Sequence, residues 1–154
     1  MMLLSEIATP ADTTGNALRV LDLMLEFFTH DTHWARGRYH HRDGRHCLVG
    51  AVLHFSAKHA LPHTPVMAVL EAALPRRQIG LIAFNDRACR SAAELRSVIV
   101  KARAVAIENE KHERAAAAFK KRLLAELDRD WAISTRARDE ALGEIYMPAP
   151  ELAA

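Results

Sequence analysis

Little in this chain belongs to a disulfide-built, membrane-spanning or strand-rich protein. Its two cysteines, Cys47 and Cys89, are too few and too far apart for a disulfide framework, so reduced thiols are expected. The apolar start from Met1 to Ile7 is short and contains Glu6, which does not match a cleavable leader; a cytoplasmic location is expected. No window approaches the roughly 20 uninterrupted apolar residues of a membrane span. Aromatic residues make up only 6% of the chain, while half of it is apolar. Ala and Leu dominate that apolar set, and both favour helix over strand. Charge of one sign is also missing: 21 basic against 19 acidic side chains leave +2. That balance announces neither a nucleic acid nor a membrane partner, so any such claim needs local clustering.

The fold expected from these limits is mainly α: a helical domain of four or five helices, 15-107, followed by a long C-terminal helix. A flexible arm, 1-14, precedes it, with Asp12, Thr13 and Thr14 able to cap a first helix from about Asn16 to Phe28. Gly37 and the Asp43-Gly44 pair mark turns in the aperiodic stretch that follows, and a small β-hairpin near 38-47 is expected there. Helical period returns from Cys47 to His59 and again from Val66 to Leu74, with Pro62, Pro65 and Pro75 as breaks. The apolar run Gln78 to Phe84 is too short to assign by period and is read as helical. Ser91 followed by Glu94 forms a capping box, so the long helix begins at Ala92.

No Gly or Pro interrupts that helix before Gly143. Leu95, Val98, Ala102, Val105, Asn109, His112, Ala116, Phe119 and Leu123 alternate spacings of three and four, a heptad seam that Asn109 and His112 would make register-specific in a two-chain coil. Glu108 to Arg114 is polar all round and separates an inner apolar stretch from an outer one at Phe119, Leu123, Leu124 and Leu127. Residues 108-143 are therefore read either as an extended association helix or as a hairpin in which Trp131 to Leu142 folds back. The end, 144-154, with Pro148 and Pro150, reads as a loose tail.

Trp34-x-x-Gly37, the Asp43-Gly44 turn, Cys47-Leu48-x-Gly50-Ala51, and Phe84-Asn85-Asp86 ahead of Arg90-Ser91 together resemble a bacterial family known only as a domain of unknown function. The resemblance covers about Ala17 to Ile107. It departs at Phe84, where that family usually has Trp, and at Ser91, where it usually has Thr. It implies one structural unit made of the loop, the Cys47 helix and the Asn-Asp turn, and it implies no activity.

Three chemistries are open to the crowded stretch from Trp34 to Ala51. Cys47 at a helix start would have a lowered thiol pKa, with His40, His41 or His46 as base and Asn85 or Asp86 as orienting group. Against this stands a buried cysteine acting as a small apolar residue. Metal binding by His30, His33, Asp31, Cys47 or His54 is a weaker reading, since none of these spacings is an established zinc pattern. Arg36, Arg38, Arg42 and Arg45, interleaved with Trp34 and Tyr39, present guanidinium groups for phosphate and rings for base stacking, or else a solvated loop. Asn85 and Asp86 are also ordinary turn-capping residues, and Trp34 is expected to plug the core with its indole nitrogen on a carbonyl oxygen.

The leading expectation is a non-enzymatic interaction or regulatory protein, without a cofactor, that self-associates or binds a protein partner through 92-130. Nucleic-acid binding is not favoured and no membrane partner is expected. The alternatives are a Cys47-dependent hydrolase or transferase, and a phosphate or nucleic-acid binder through 34-46.

Overall fold

Five helices account for the regular structure in the computed structural model, which describes residues 10-75 and 79-145. Helix α1 spans Pro10–Phe27, α2 Leu48–Lys58 and α3 Thr64–Ala73. A single turn, α4, Leu81–Ala83, runs into a π-helical turn at Phe84–Ala88, and α5 extends over Ala92–Ile145. A 3-10 turn at Asp31–His33 opens the loop between α1 and α2. The chain divides into two units, Met1–Arg114 and Ala115–Ala154. Parts of the expected arm and tail, 1-9 and 146-154, lie outside the described residues, as does Gln78 at the start of the ambiguous apolar run.

The first unit is built on apolar faces at helical spacing. Ala17, Val20, Leu21 and Met24 of α1 meet Leu48, Ala51, Val52 and Phe55 of α2 and Val66, Val69 and Leu70 of α3 in one core, with Leu81, Phe84 and Cys89 completing it. Leu95, Val98, Ile99, Ala102 and Ala106 of α5 close the same core, and among the described residues of the first unit no apolar residue of α5 beyond Ala106 is buried in it. The seam expected from Leu95 therefore stays buried for about three turns only.

Two local expectations are corrected, and of two open readings of the distal segment one falls away. Helix α1 begins at Pro10 rather than Asn16, consistent with proline's fixed φ and missing donor at a helix start. Thr14 lies inside it, buried, and its hydroxyl donates to Glu113 Oε2 at 2.8 Å rather than capping. The β-hairpin reduces to isolated bridges, His40 with His46 and Trp34 with His46. Its turn is present, with Gly44 at φ +87° and Gly44 N–H donating to the His41 carbonyl. The returning chain, however, reaches Cys47, already the cap of α2, one residue after pairing, so no ladder can grow. Trp131 to Leu142 does not fold back: it continues α5.

The start of α5 is fixed twice. Ser91 Oγ accepts from Glu94 N–H at 3.2 Å, and Glu94 Oε2 accepts from Arg90 N–H at 2.8 Å, one residue short of the reciprocal bond of a full capping box. Asp31 Oδ1, from the distant loop, accepts from Ala92 N–H at 2.6 Å. A carboxylate there also faces the positive end of the helix dipole.

Gly50 sits where α2 passes under the loop. A Cβ at that position would fall onto the Tyr39 carbonyl group, whose oxygen accepts from Cys47 N–H at 3.3 Å. Gly50→Ala should therefore cost about 3 kcal/mol, the upper part of the range for overpacking, because backbone must yield. Urea unfolding of the two proteins checks this; an unchanged midpoint would show that the loop rides freely over α2.

Candidate functional site

The π-helical turn places the residue on which the loop depends. Cys89 N–H donates to the Phe84 carbonyl at 2.8 Å, five residues back, and the widened turn carries Asn85 into the core, fully buried. Asn85 Oδ1 accepts from Trp34 Nε1 at 2.9 Å and from Leu48 N–H at 3.0 Å. Its Nδ2 donates to the Ala35 carbonyl at 3.0 Å and to Asp86 Oδ1 at 2.7 Å. Two donors and two acceptor sites are the whole capacity of a carboxamide. Nothing of Asn85 is left to orient a histidine; one of its bonds instead satisfies a free amide of the first turn of α2.

Asp86 and Arg36 complete the attachment. Asp86 Oδ1 also accepts from Gly37 N–H at 3.0 Å, and Gly37 adopts φ +73°, a left-handed conformation that favours glycine. Arg36 donates to the Cys89 carbonyl and its guanidinium lies 4.5 Å over the Trp34 ring, a cation–π contact. Of the four loop arginines, Arg36 is thus engaged within the fold. Arg45 pairs with Asp43 at 2.8 Å in a partly exposed bridge, and its backbone amide and guanidinium hold the Asp43 carboxyl below its ordinary range. Arg38 and Arg42 are exposed and enter no ion pair among the described residues.

Cys47 is the N-cap of α2, with Sγ accepting from Gly50 N–H at 3.2 Å. It lines a cleft of about 230 Å³ with Gly37, Arg38, Tyr39, Ile82 and Asp86. The expectation of a lowered thiol pKa is corrected: burial pushes it up, the Gly50 amide pulls partly against that, and Asp86 adds to the rise. Desolvation outweighs the helix terminus. No hydrogen bond joins Cys47 Sγ to a histidine among the described residues.

The histidines gather elsewhere. His46 is buried, with His40 at 4.7 Å and His54 at 4.6 Å between ring centroids and Phe27 at 5.4 Å. These three histidines line a second cleft, of about 350 Å³, that shares only Tyr39 with the first. His46 Nδ1 and His41 Nε2 are buried without a hydrogen-bond partner. Burial, then the neighbouring His54 and His40, hold the His46 pKa below its ordinary value. His30 and His33 lie 6.3 Å apart, but His33 Nδ1 donates to the Phe27 carbonyl at 2.6 Å and its ring stacks on Phe27. Asp31 is occupied at the start of α5. Among the described residues no three His, Cys, Asp or Glu side chains form a group able to hold a metal ion.

Sequence reasoning named nearly all of these residues but assigned them to the wrong neighbours. The cluster of His40, His46 and His54 and the long-range cap from Asp31 were missed. For Asn85 a signal existed: an indole that needs a carbonyl-type acceptor, and an amide beside a turn. The chain belongs to the family of unknown function DUF6197, whose model matches residues 9–105. No curated protein and no solved structure matches it.

With its pKa raised above the ordinary thiol value, Cys47 should stay protonated at neutral pH. Iodoacetamide should therefore modify it in the native protein far more slowly than after unfolding; equal rates at pH 7.5 would restore a reactive thiolate. His46 gives a pH dependence with a definite sign. The unfolded chain takes up its proton near the ordinary value of 6.5, while the folded chain takes it up only at lower pH. Stability is therefore full above pH 6.5 and falls as pH drops toward the folded pKa. The melting temperature should decline between pH 7 and 5, and less steeply in His46→Phe; parallel slopes would remove His46 from the account.

Proposed function

We propose that this member of the family is a non-enzymatic interaction or regulatory protein that associates through the distal part of α5. One observation carries the reading: every residue from Ala115 to Gly143 is exposed, yet the segment bears Phe119, Leu123, Leu124, Leu127 and Trp131, which are 61%, 45%, 50%, 55% and 77% exposed. At 100° per residue these five side chains share one side of the helix. Apolar side chains grouped this way are a mark of an interface rather than of scattered surface residues.

The polar stretch before it behaves differently. Glu108 pairs with Lys111 and His112, and Glu110 with Arg114, along the helix surface, which is the pattern of a solvated helix. The raised thiol of Cys47 and the saturated amide of Asn85 weigh against a Cys-His-Asn catalytic set. The segment from Ala115 onward also lies beyond the stretch matched by the family model, which supports an added association element.

Sedimentation equilibrium of the full chain tests the reading. The expected result is a dimer at micromolar concentration, with Leu123→Glu plus Leu127→Glu raising its Kd about a hundredfold or more while helical circular dichroism is retained. A wild-type chain that remains monomeric at high micromolar concentration would overturn self-association.

A further inference from the structure

We infer that the partner of this apolar side is a second copy of the same helix running antiparallel, with the two-fold axis at the level of Ala125. The inference rests on the self-association reading above and adds its orientation and register. It comes from the order of residues around Ala125, which points away from the apolar side by helix geometry.

Counting outward from Ala125, equal steps in opposite directions reach Leu123 and Leu127, then Lys120 and Asp130, then Phe119 and Trp131. In an antiparallel pair centred there, residues equally distant from the centre on the two chains stand at the same level. Leu123 then meets the second copy's Leu127 near the middle of the seam, Lys120 faces Asp130 across it, and Phe119 and Trp131 stand at one level on its opposite flanks. Each meeting occurs twice because of the symmetry. All six residues fall within about 60° of the line opposite Ala125, so each can contribute to the seam.

The parallel, in-register alternative brings every residue to its own copy. Lys120 would stand against Lys120 and Asp130 against Asp130, each a like-charge layer inside the seam, and like charges juxtaposed at an interface are strongly unfavourable. Reversal of one chain turns both repulsive layers into ion pairs without moving an apolar residue from the interface. Among the described residues neither Lys120 nor Asp130 enters an ion pair within the chain, so both charges are available. Leu124 falls beside the axis, where it meets its own copy. Glu126, which also meets its own copy there, has Arg122 of both chains on the same flank to offset the repulsion.

Cysteine cross-linking in the full-length protein separates the possibilities. Phe119→Cys and Trp131→Cys are made as single variants, with Cys47 and Cys89 retained because both are buried. Each variant is treated alone with a short bismaleimide linker that can cross the seam, and then the two are treated as a mixture. The expected product is a mixed cross-linked dimer from the mixture, with little linking in either variant alone, since a residue and its own copy would lie about 18 Å apart along the axis. Self-linking of each single variant would establish the parallel arrangement and overturn the inference. So would absence of the mixed link in samples that sediment as dimers, by placing the interface elsewhere. A monomer in sedimentation instead fails the association reading itself.

Charge exchange gives an independent readout with no cross-linking. Lys120→Glu should raise the dimer Kd about tenfold, and adding Asp130→Lys in the same chain should return it to within about threefold of wild type. In a parallel pair the single change merely replaces one like-charge layer by another, so an unchanged Kd would overturn the antiparallel assignment.

Discussion

The folded first unit depends on one carboxamide. Asn85 joins the loop, through Trp34 and Ala35, to the first turn of α2, through Leu48, from a fully buried position. A buried polar group of this kind stabilises only when completely satisfied, and leaving one partner unmatched costs about 1–3 kcal/mol. Because three of its four bonds reach the loop and α2 and the fourth ties it to Asp86 of its own turn, they act as a specification of geometry. The loop cannot shift along α2 without breaking several of them together. Gly50 enforces the same register sterically, by admitting the Tyr39 carbonyl where any side chain would collide.

This arrangement explains which parts of the fold were legible in the sequence. Helices α2, α3 and α5 followed from period and from proline and capping signals, because those signals are local. The loop was legible in composition and not in geometry. Its bonds span tens of residues, Trp34 to Asn85, Gly37 to Asp86, Asp31 to Ala92, and no pattern within a single window encodes such pairings. The start of α1 was misplaced because three capping residues, Asp12 to Thr14, lie just inside a helix that opens on Pro10. Local preference was overridden by tertiary packing of Thr14.

The chemical candidates divided along the same line. Residue types capable of nucleophilic, metal-binding or anion-binding chemistry were visible, but their roles depend on which atoms remain free after folding. Folding commits Asn85, Asp31, His33 and Arg36 to backbone or side-chain partners. The thiol of Cys47 becomes a helix cap in a desolvated position. The histidines that do converge, His40, His46 and His54, form a cluster of tilted rings without an attendant carboxylate in their cleft. In the second unit the reverse holds, since a surface helix has few internal demands and its residue order stays available for association.

The saturated state of Asn85 also bears on how this protein ages. Asparagine side chains hydrolyse slowly to aspartate, and here the change would replace a two-proton donor by an oxygen facing the Ala35 carbonyl and the Asp86 carboxylate, both acceptors. Two attractive contacts would become repulsive in one event, with a new negative charge sealed in the core. Chemical wear at this residue would therefore not loosen the loop by degrees. It would mark the molecule abruptly for unfolding, while leaving the exposed surface of the distal helix unaltered.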